Sequence, residues 1–325
     1  MTALSKNRVS VPALLLLLAI LAGLSSVALP AHAAASMGTA SPDDTGRSFS
    51  DAEASDAVNS WTPEALAAAT DLDAPGDAVT APASGATEQS LIAQGPGTYE
   101  PVYWIGRIYF DVGEKQYSCS GSSIRSDSQL VVATAAHCLY DHGDWSTRVV
   151  FIPAWDGANK PLGVWGAFYY SVSRDWRTTE DPGHDAAFIK MMPKTAWNGT
   201  KEYLAPQAGA PAPAFDAATP GLHFEAFGYR PLSGYVHQPL YTCAGEGRHF
   251  RGLASIPEFE IAGCDPPGGA SGGPVYHAST RGPNGTQYGV ITETRRARDG
   301  SPLLIFVPWG QVEYSLYRSV DLWPR

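Results

Sequence analysis

From residue 102 onward the chain is a succession of short β-rich runs separated by turn signals. The runs are 102–110, 117–124, 130–135, 149–152, 165–172, 186–191, 222–228, 273–277, 288–292 and 303–307. They recur with glycine, proline, asparagine or aspartate between them, and no helix-length apolar period alternates with them. That pattern excludes a parallel α/β sheet and leaves an all-β sandwich or barrel. Asn284-Gly285, between two runs, is a hairpin signal. A terminal helix is expected near 309–318. With 33 glycines and 26 prolines in 325 residues, the chain falls short of low-complexity composition, and 44% hydrophobic content is enough for a real core.

The first 33 residues read differently. Lys6 and Arg8 precede an apolar run from Ala13 to Leu24, and Ala31-His32-Ala33 supplies the small-x-small site at which a signal peptidase cuts. The run is shorter than the ~20 residues a membrane helix needs. The expectation is a signal peptide over 1–33, a secreted extracellular protein with no membrane contact after its removal, and a compartment where disulfides persist. Residues 34–95 carry ten acids against the single base Arg47, so most of the formal net charge of −10 lies there. Such a segment reads as a mostly disordered, removable pro-region. Its one ordered candidate is a short helix from N-cap Thr62 and Pro63 to Thr70. Residues 96–325 are then nearly neutral, which argues against nucleic acid as a partner.

Three places carry chemistry. Thr134-Ala135-Ala136-His137-Cys138 sets a histidine at the end of an apolar strand. Asp185 opens the apolar run 186–189, where a buried acid can reach a partner. Ser271 lies in Gly268-Gly269-Ala270-Ser271-Gly272-Gly273-Pro274, whose glycines permit a sharp turn that exposes a hydroxyl and aims amides at one point. Asp181, followed by Pro182-Gly183, reads as a turn residue, and His142 and His184 as surface or loop histidines. A metal site built from His137, His142 and a carboxylate is disfavoured, because His at i and i+5 does not match one helical face. The Gly-x-Ser-x-Gly match to an α/β-hydrolase elbow fails on order, since the histidine and acid would have to follow Ser271.

These motifs, in the order His, Asp, Ser, resemble the trypsin-like serine peptidases. Cys264-Asp265-Pro266-Pro267-Gly268-Gly269 and the Gly228-Tyr229 turn resemble the secreted bacterial V8-like, glutamyl endopeptidase-type members. The resemblance covers roughly 100–320. It implies two six-stranded antiparallel β-barrels with the site between them, and a triad of His137, Asp185 and Ser271. The amides of Gly269 and Ser271 are the expected oxyanion donors, protein or peptide substrates and a monomer are expected, and with no metal-ligand cluster or phosphate-binding glycine loop in the sequence no cofactor or metal is expected to be required. The resemblance also implies a Cys119–Cys138 disulfide beside the histidine, with Cys243 and Cys264 as a second bridge. The four cysteines taken alone allow three connectivities. The alternative class is a catalytically silent chymotrypsin-like binding module.

Two departures stand out. Ala270 occupies the place where pancreatic-type enzymes carry an aspartate that pairs with the new N-terminus, so that ion pair cannot form and control by the acidic leader is expected instead. Asp265, Thr292 and Glu293 form the expected substrate pocket, the two acids pointing toward a basic P1 side chain. The histidine of glutamyl-specific enzymes has no counterpart at Ile291.

Overall fold

The computed structural model describes residues 46–72, 102–157, 159–229, 240–266, 268–277, 279 and 282–324; the expected signal peptide lies outside them. Residues 46–72, expected to hold one short helix in an otherwise unstructured leader, are folded. Strand β1 (Gly46–Ser48) is followed by helix α1 (Asp51–Ser60), helix α2 (Pro63–Ala68) and strand β2 (Thr70–Asp71). Ser50 and Glu53 close a capping box on α1: the Glu53 amide donates to Ser50 Oγ (3.2 Å) and the Ser50 amide to Glu53 Oε2 (2.7 Å). Thr62 caps α2 ahead of Pro63, as its sequence implies. The acidic composition misleads because Asp51, Glu53, Asp56 and Glu64 are exposed, whereas Phe49, Trp61, Leu66 and Ala69 are buried against the strands that follow.

The first barrel comprises β3 (Ile105–Val112), β4 (Lys115–Ser123) and β5 (Val131–Thr134). After a small hairpin, β6 (Tyr140–Asp141) and β7 (Asp144–Trp145), come β8 (Thr147–Pro153) and β9 (Trp165–Val172). Helix α3 (Arg174–Thr179) and a 3-10 turn (Pro182–His184) then lead into β10 (Ala187–Met191). The strands run β9-β10-β5-β4-β3-β8, and β8 pairs back onto β9 through Val150 and Gly166, closing the ring. β1 extends β9 antiparallel, and β2 lies parallel to β4 at Tyr117 and Ser118. Ile108, Phe110, Val132, Phe151, Tyr170 and Ile189 fill the interior. Each such side chain removed from water is worth about 1.5–3 kcal/mol.

A second small hairpin, β11 (Lys194–Thr195) and β12 (Lys201–Glu202), then helix α4 (Leu204–Ala208) and strand β13 (Ala212–Pro213), connect to the second barrel. That barrel contains β14 (His223–Gly228), β15 (Tyr241–Phe250), β16 (Glu258–Ala262), β17 (Pro274–His277), β18 (Thr286–Arg296) and β19 (Pro302–Pro308). The order is β18-β17-β14-β15-β16-β19, closed by β18 against β19. Phe224, Phe259, Ile291 and Phe306 are buried among its strands. The terminal helix α5 (Gln311–Asp321) returns to the first barrel, packing Leu316, Tyr317 and Val320 with Phe188 of β10 and Trp309. Trp323 stacks on Tyr169 of β9 with ring centroids 3.8 Å apart. Two closed six-stranded barrels and a C-terminal helix are the expected architecture.

Candidate active site

β5 and β10 are antiparallel neighbours, with Thr134 opposite Ala187. His137, three residues beyond β5, and Asp185, two residues before β10, therefore leave the same end of adjacent strands. Asp185 Oδ2 lies 2.7 Å from His137 Nδ1, and Oδ1 accepts the His137 backbone amide at 2.9 Å. This two-point grip fixes the ring and places the Nδ1 proton on the Asp185 side. Both residues are buried. Asp181 is the turn residue expected: it caps the 3-10 turn at Gly183 and accepts from the Ser255 amide at 3.0 Å. His142 is exposed beside Glu180. His184 lies in the connecting 3-10 turn but not at the surface, because it is buried with Nδ1 3.0 Å from Glu313 Oε1 on α5. The bond to Glu313 holds its pKa above the ordinary histidine value, outweighing burial.

Ser271 is held from both barrels. Its carbonyl accepts the Ser120 amide of β4 at 2.8 Å, its hydroxyl donates to the Thr292 carbonyl of β18 at 3.1 Å, and Ser120 Oγ donates to the Gly269 carbonyl at 2.7 Å. Gly272 has φ +79° and lies against Thr134, Ser120 and Ala135, where any Cβ would collide. That contact brings the serine turn onto the strand that delivers His137. Two disulfides brace these approaches. Cys119–Cys138 joins β4 to the residue after His137, and Cys243–Cys264 joins β15 to the segment leading to Ser271. Of the three pairings that four cysteines allow, this is the one the resemblance implied. Cys119, His137 and Cys138 are the one cluster among the described residues with metal-ligand proximity, and the disulfide removes its thiolates from ligation.

A cleft of about 440 Å³ opens beside Ser271, lined by Asp265, Pro266, Gly268, Ile291, Thr292, Glu293, Thr294 and Arg296 among others. All three expected pocket residues lie in it. The sequence reading missed Arg296, whose guanidinium is 3.2 Å from Asp265 Oδ2. Glu293 is engaged by Arg295 at 2.6 Å. Both acids thus meet an arginine, and the pocket is far less acidic than its carboxylates imply. The signal was the Arg295-Arg296 pair ending β18, 31 residues from Asp265. Nearby, Glu258 of β16 is buried, and its pKa is pushed up to about 7 by desolvation and then by the Glu293 charge.

Similar folds occur among solved structures. The protease Anisep from Arthrobacter nicotinovorans is 30% identical, with a TM-score of 0.59, over 68% of this chain and 96% of its own. This chain belongs to the chymotrypsin-fold serine peptidases. A second peptidase of this fold, the thermostable serine protease AL20 from an extremophilic microorganism, is 26% identical over 69% of this chain and 99% of its own, with a TM-score of 0.59. A Glu endopeptidase shares the fold at 15% identity and a TM-score of 0.51. No protein-family model matches the chain, and no curated protein does.

Proposed function

We propose that this peptidase is a secreted serine endopeptidase that cleaves protein or peptide substrates through His137, Asp185 and Ser271. The observation that carries the reading is the pair of hydrogen bonds that His137 donates to Asp185, together with a glycine-framed serine turn that lies against the strand leading to His137. A serine hydroxyl is a poor nucleophile near neutral pH, so His137 Nε2 takes its proton as Oγ attacks the scissile carbonyl. Asp185 keeps the other nitrogen protonated and stabilises the imidazolium that forms. The amides of Gly269 and Ser271 donate to the developing oxyanion, each worth about 3–4 kcal/mol in comparable sites. His137 returns the proton to the leaving amine, leaving an acyl-enzyme. Water, deprotonated by the same histidine, then releases Ser271. The chemistry draws on no metal or cofactor. Secretion is supported by the signal-like first 33 residues and by two disulfides; among the described residues, no helix is long and apolar enough to cross a membrane. The test is labelling of the full chain by a fluorophosphonate probe, which Ser271→Ala abolishes. A wild-type chain that takes up no probe is a binding module instead.

A further inference from the structure

The buried side chains that the mechanism leaves unused converge behind the serine turn, and one of them comes from the N-terminal segment. Arg107 of β3 is fully buried, with its guanidinium 5.0 Å from the Trp155 ring, 5.8 Å from Tyr229 and 5.9 Å from Tyr109. Its Nη2 donates to Asp71 Oδ1 at 2.5 Å, and the same oxygen accepts Ser118 Oγ–H at 2.8 Å. Asp71 is itself buried, its backbone fixed by the parallel pairing of β2 on β4. Directly against this cluster stands Gly269. Its φ is +81°, and a Cβ there would run into the Asp71 carboxylate and come within 3.0 Å of Arg107 Nη2. The Gly269 carbonyl is gripped by Ser120, two residues along β4 from Ser118. One strand therefore holds both the Asp71 carboxylate and the turn it supports.

We propose that Asp71 is a positioning residue for the Gly269–Ser271 turn, and that segment 46–72 is a permanent part of the working peptidase rather than a removable leader. This rests on the peptidase reading above and revises the pro-region expectation. The position equivalent to the activating aspartate of pancreatic enzymes is Ala270, so a carboxylate reaches this turn from outside it. Asp71 backs the turn at Gly269, whose amide is one of the two oxyanion donors. The segment is also anchored too widely to be a loosely docked inhibitor. β1 pairs with β9, Phe49 enters the barrel core, and Trp61 Nε1 donates to the Arg148 carbonyl at 2.8 Å. α1 presses on Gly166, where a Cβ would meet the Ala54 carbonyl oxygen at 2.5 Å. Removing the segment takes a carboxylate away from a buried guanidinium, a change that destabilises strongly when no apolar group replaces it.

The experiment is a comparison of full-length wild type, Asp71→Asn and Ser118→Ala. Active sites are counted by fluorophosphonate burst titration, and kcat and KM are measured on a peptide substrate per titrated serine. A residue that only helps the chain fold lowers the number of titrated sites and leaves kcat per site unchanged. The positioning role lowers kcat per site about 10-fold or more in Asp71→Asn, with KM within about two-fold, and weakens a peptide boronate by a similar factor. Loss of one whole oxyanion donor costs ~10²–10³, which bounds the effect. If Asp71→Asn does not fold, Ser118→Ala, which keeps both charges and loosens the carboxylate, carries the same reading with a smaller loss. Turnover per site equal to or above wild type in the folded variants overturns the proposal alone. Failure of the wild type to take up probe overturns the peptidase reading and this one with it.

Discussion

At the residue scale, the site depends on which oxygen of Asp185 does what. Oδ1 holds a backbone amide and Oδ2 holds the imidazole. Asp185→Asn keeps the shape, but the new amide can no longer accept at both ends, and the ring is driven into the wrong tautomer. We expect kcat to fall by about 10⁴ with the melting temperature little changed; a loss below ten-fold in steady-state assays would remove Asp185 from the proposed triad. The pocket gives a second outcome. Arg296 neutralises Asp265 in the cleft, so Arg296→Ala exposes a free carboxylate to the substrate. Profiling on a peptide library is expected to show a gain for Arg and Lys at P1, and a gain for Glu would contradict that electrostatic account. The backbone settings of His137 and Ser271 were legible because an apolar run and four glycines advertise them. Arg296 was not, because its partner lies far away in sequence and only the closing of β18 onto the neighbouring loop brings them together.

At the scale of elements, most barrel strands could be read from the sequence and two could not. Ten barrel strands coincide with β-rich runs in the sequence. β15, Tyr-Thr-Cys-Ala-Gly-Glu-Gly-Arg-His-Phe, was missed because glycines and charges interrupt its apolar residues, and β16, Glu-Phe-Glu-Ile-Ala, because two glutamates, one of them buried, break its short apolar run. The Ser50–Glu53 capping box of α1 sits in a segment whose acidic composition gives no sign that Phe49 and Trp61 beside it are buried. The tie between the 3-10 turn and α5 also escaped, since His184 and Glu313 are 129 residues apart. That pair has a pH signature. Besides Glu313, His184 faces Asp175 at 3.8 Å and the charge of Asp181, and its pKa is raised when folded. The pair's stabilisation is therefore fully present below the unfolded histidine value of about 6.5 and is lost as pH rises through the higher folded value. Thermal melts of wild type and His184→Gln should differ most at acidic pH and converge as pH rises, and a gap that stayed constant across that window would show that His184 does not titrate against Glu313.

At the scale of the whole molecule, the fold brings its site together from segments that each barrel contributes, so long-range ties matter more than local ones. The two-barrel plan was legible from the number and spacing of strands, but the way α5 and residues 46–72 clasp the first barrel was not, because the burial of Phe49 and Trp61 and the stacking of Trp323 on Tyr169 depend on surfaces formed elsewhere in the chain. The disulfides test how far those ties reach. Cys243–Cys264 closes a span of 21 residues, for which chain entropy gives about 3 kcal/mol. At ~2–4 °C per kcal/mol for a chain of this size, the Cys243→Ser/Cys264→Ser double variant should melt about 6–12 °C lower. Cys264 is followed at once by Asp265 and the approach to Ser271, so relaxing the bridge also frees the cleft wall. KM should therefore rise in this variant more than kcat falls. The comparable Cys119→Ser/Cys138→Ser variant, whose bridge ends next to His137, should show the reverse split, with kcat falling more than KM rises. Melting curves and steady-state kinetics on the two variants separate these outcomes. Identical kinetic losses in both would mean that the bridges stabilise the barrels without guiding the two halves of the site.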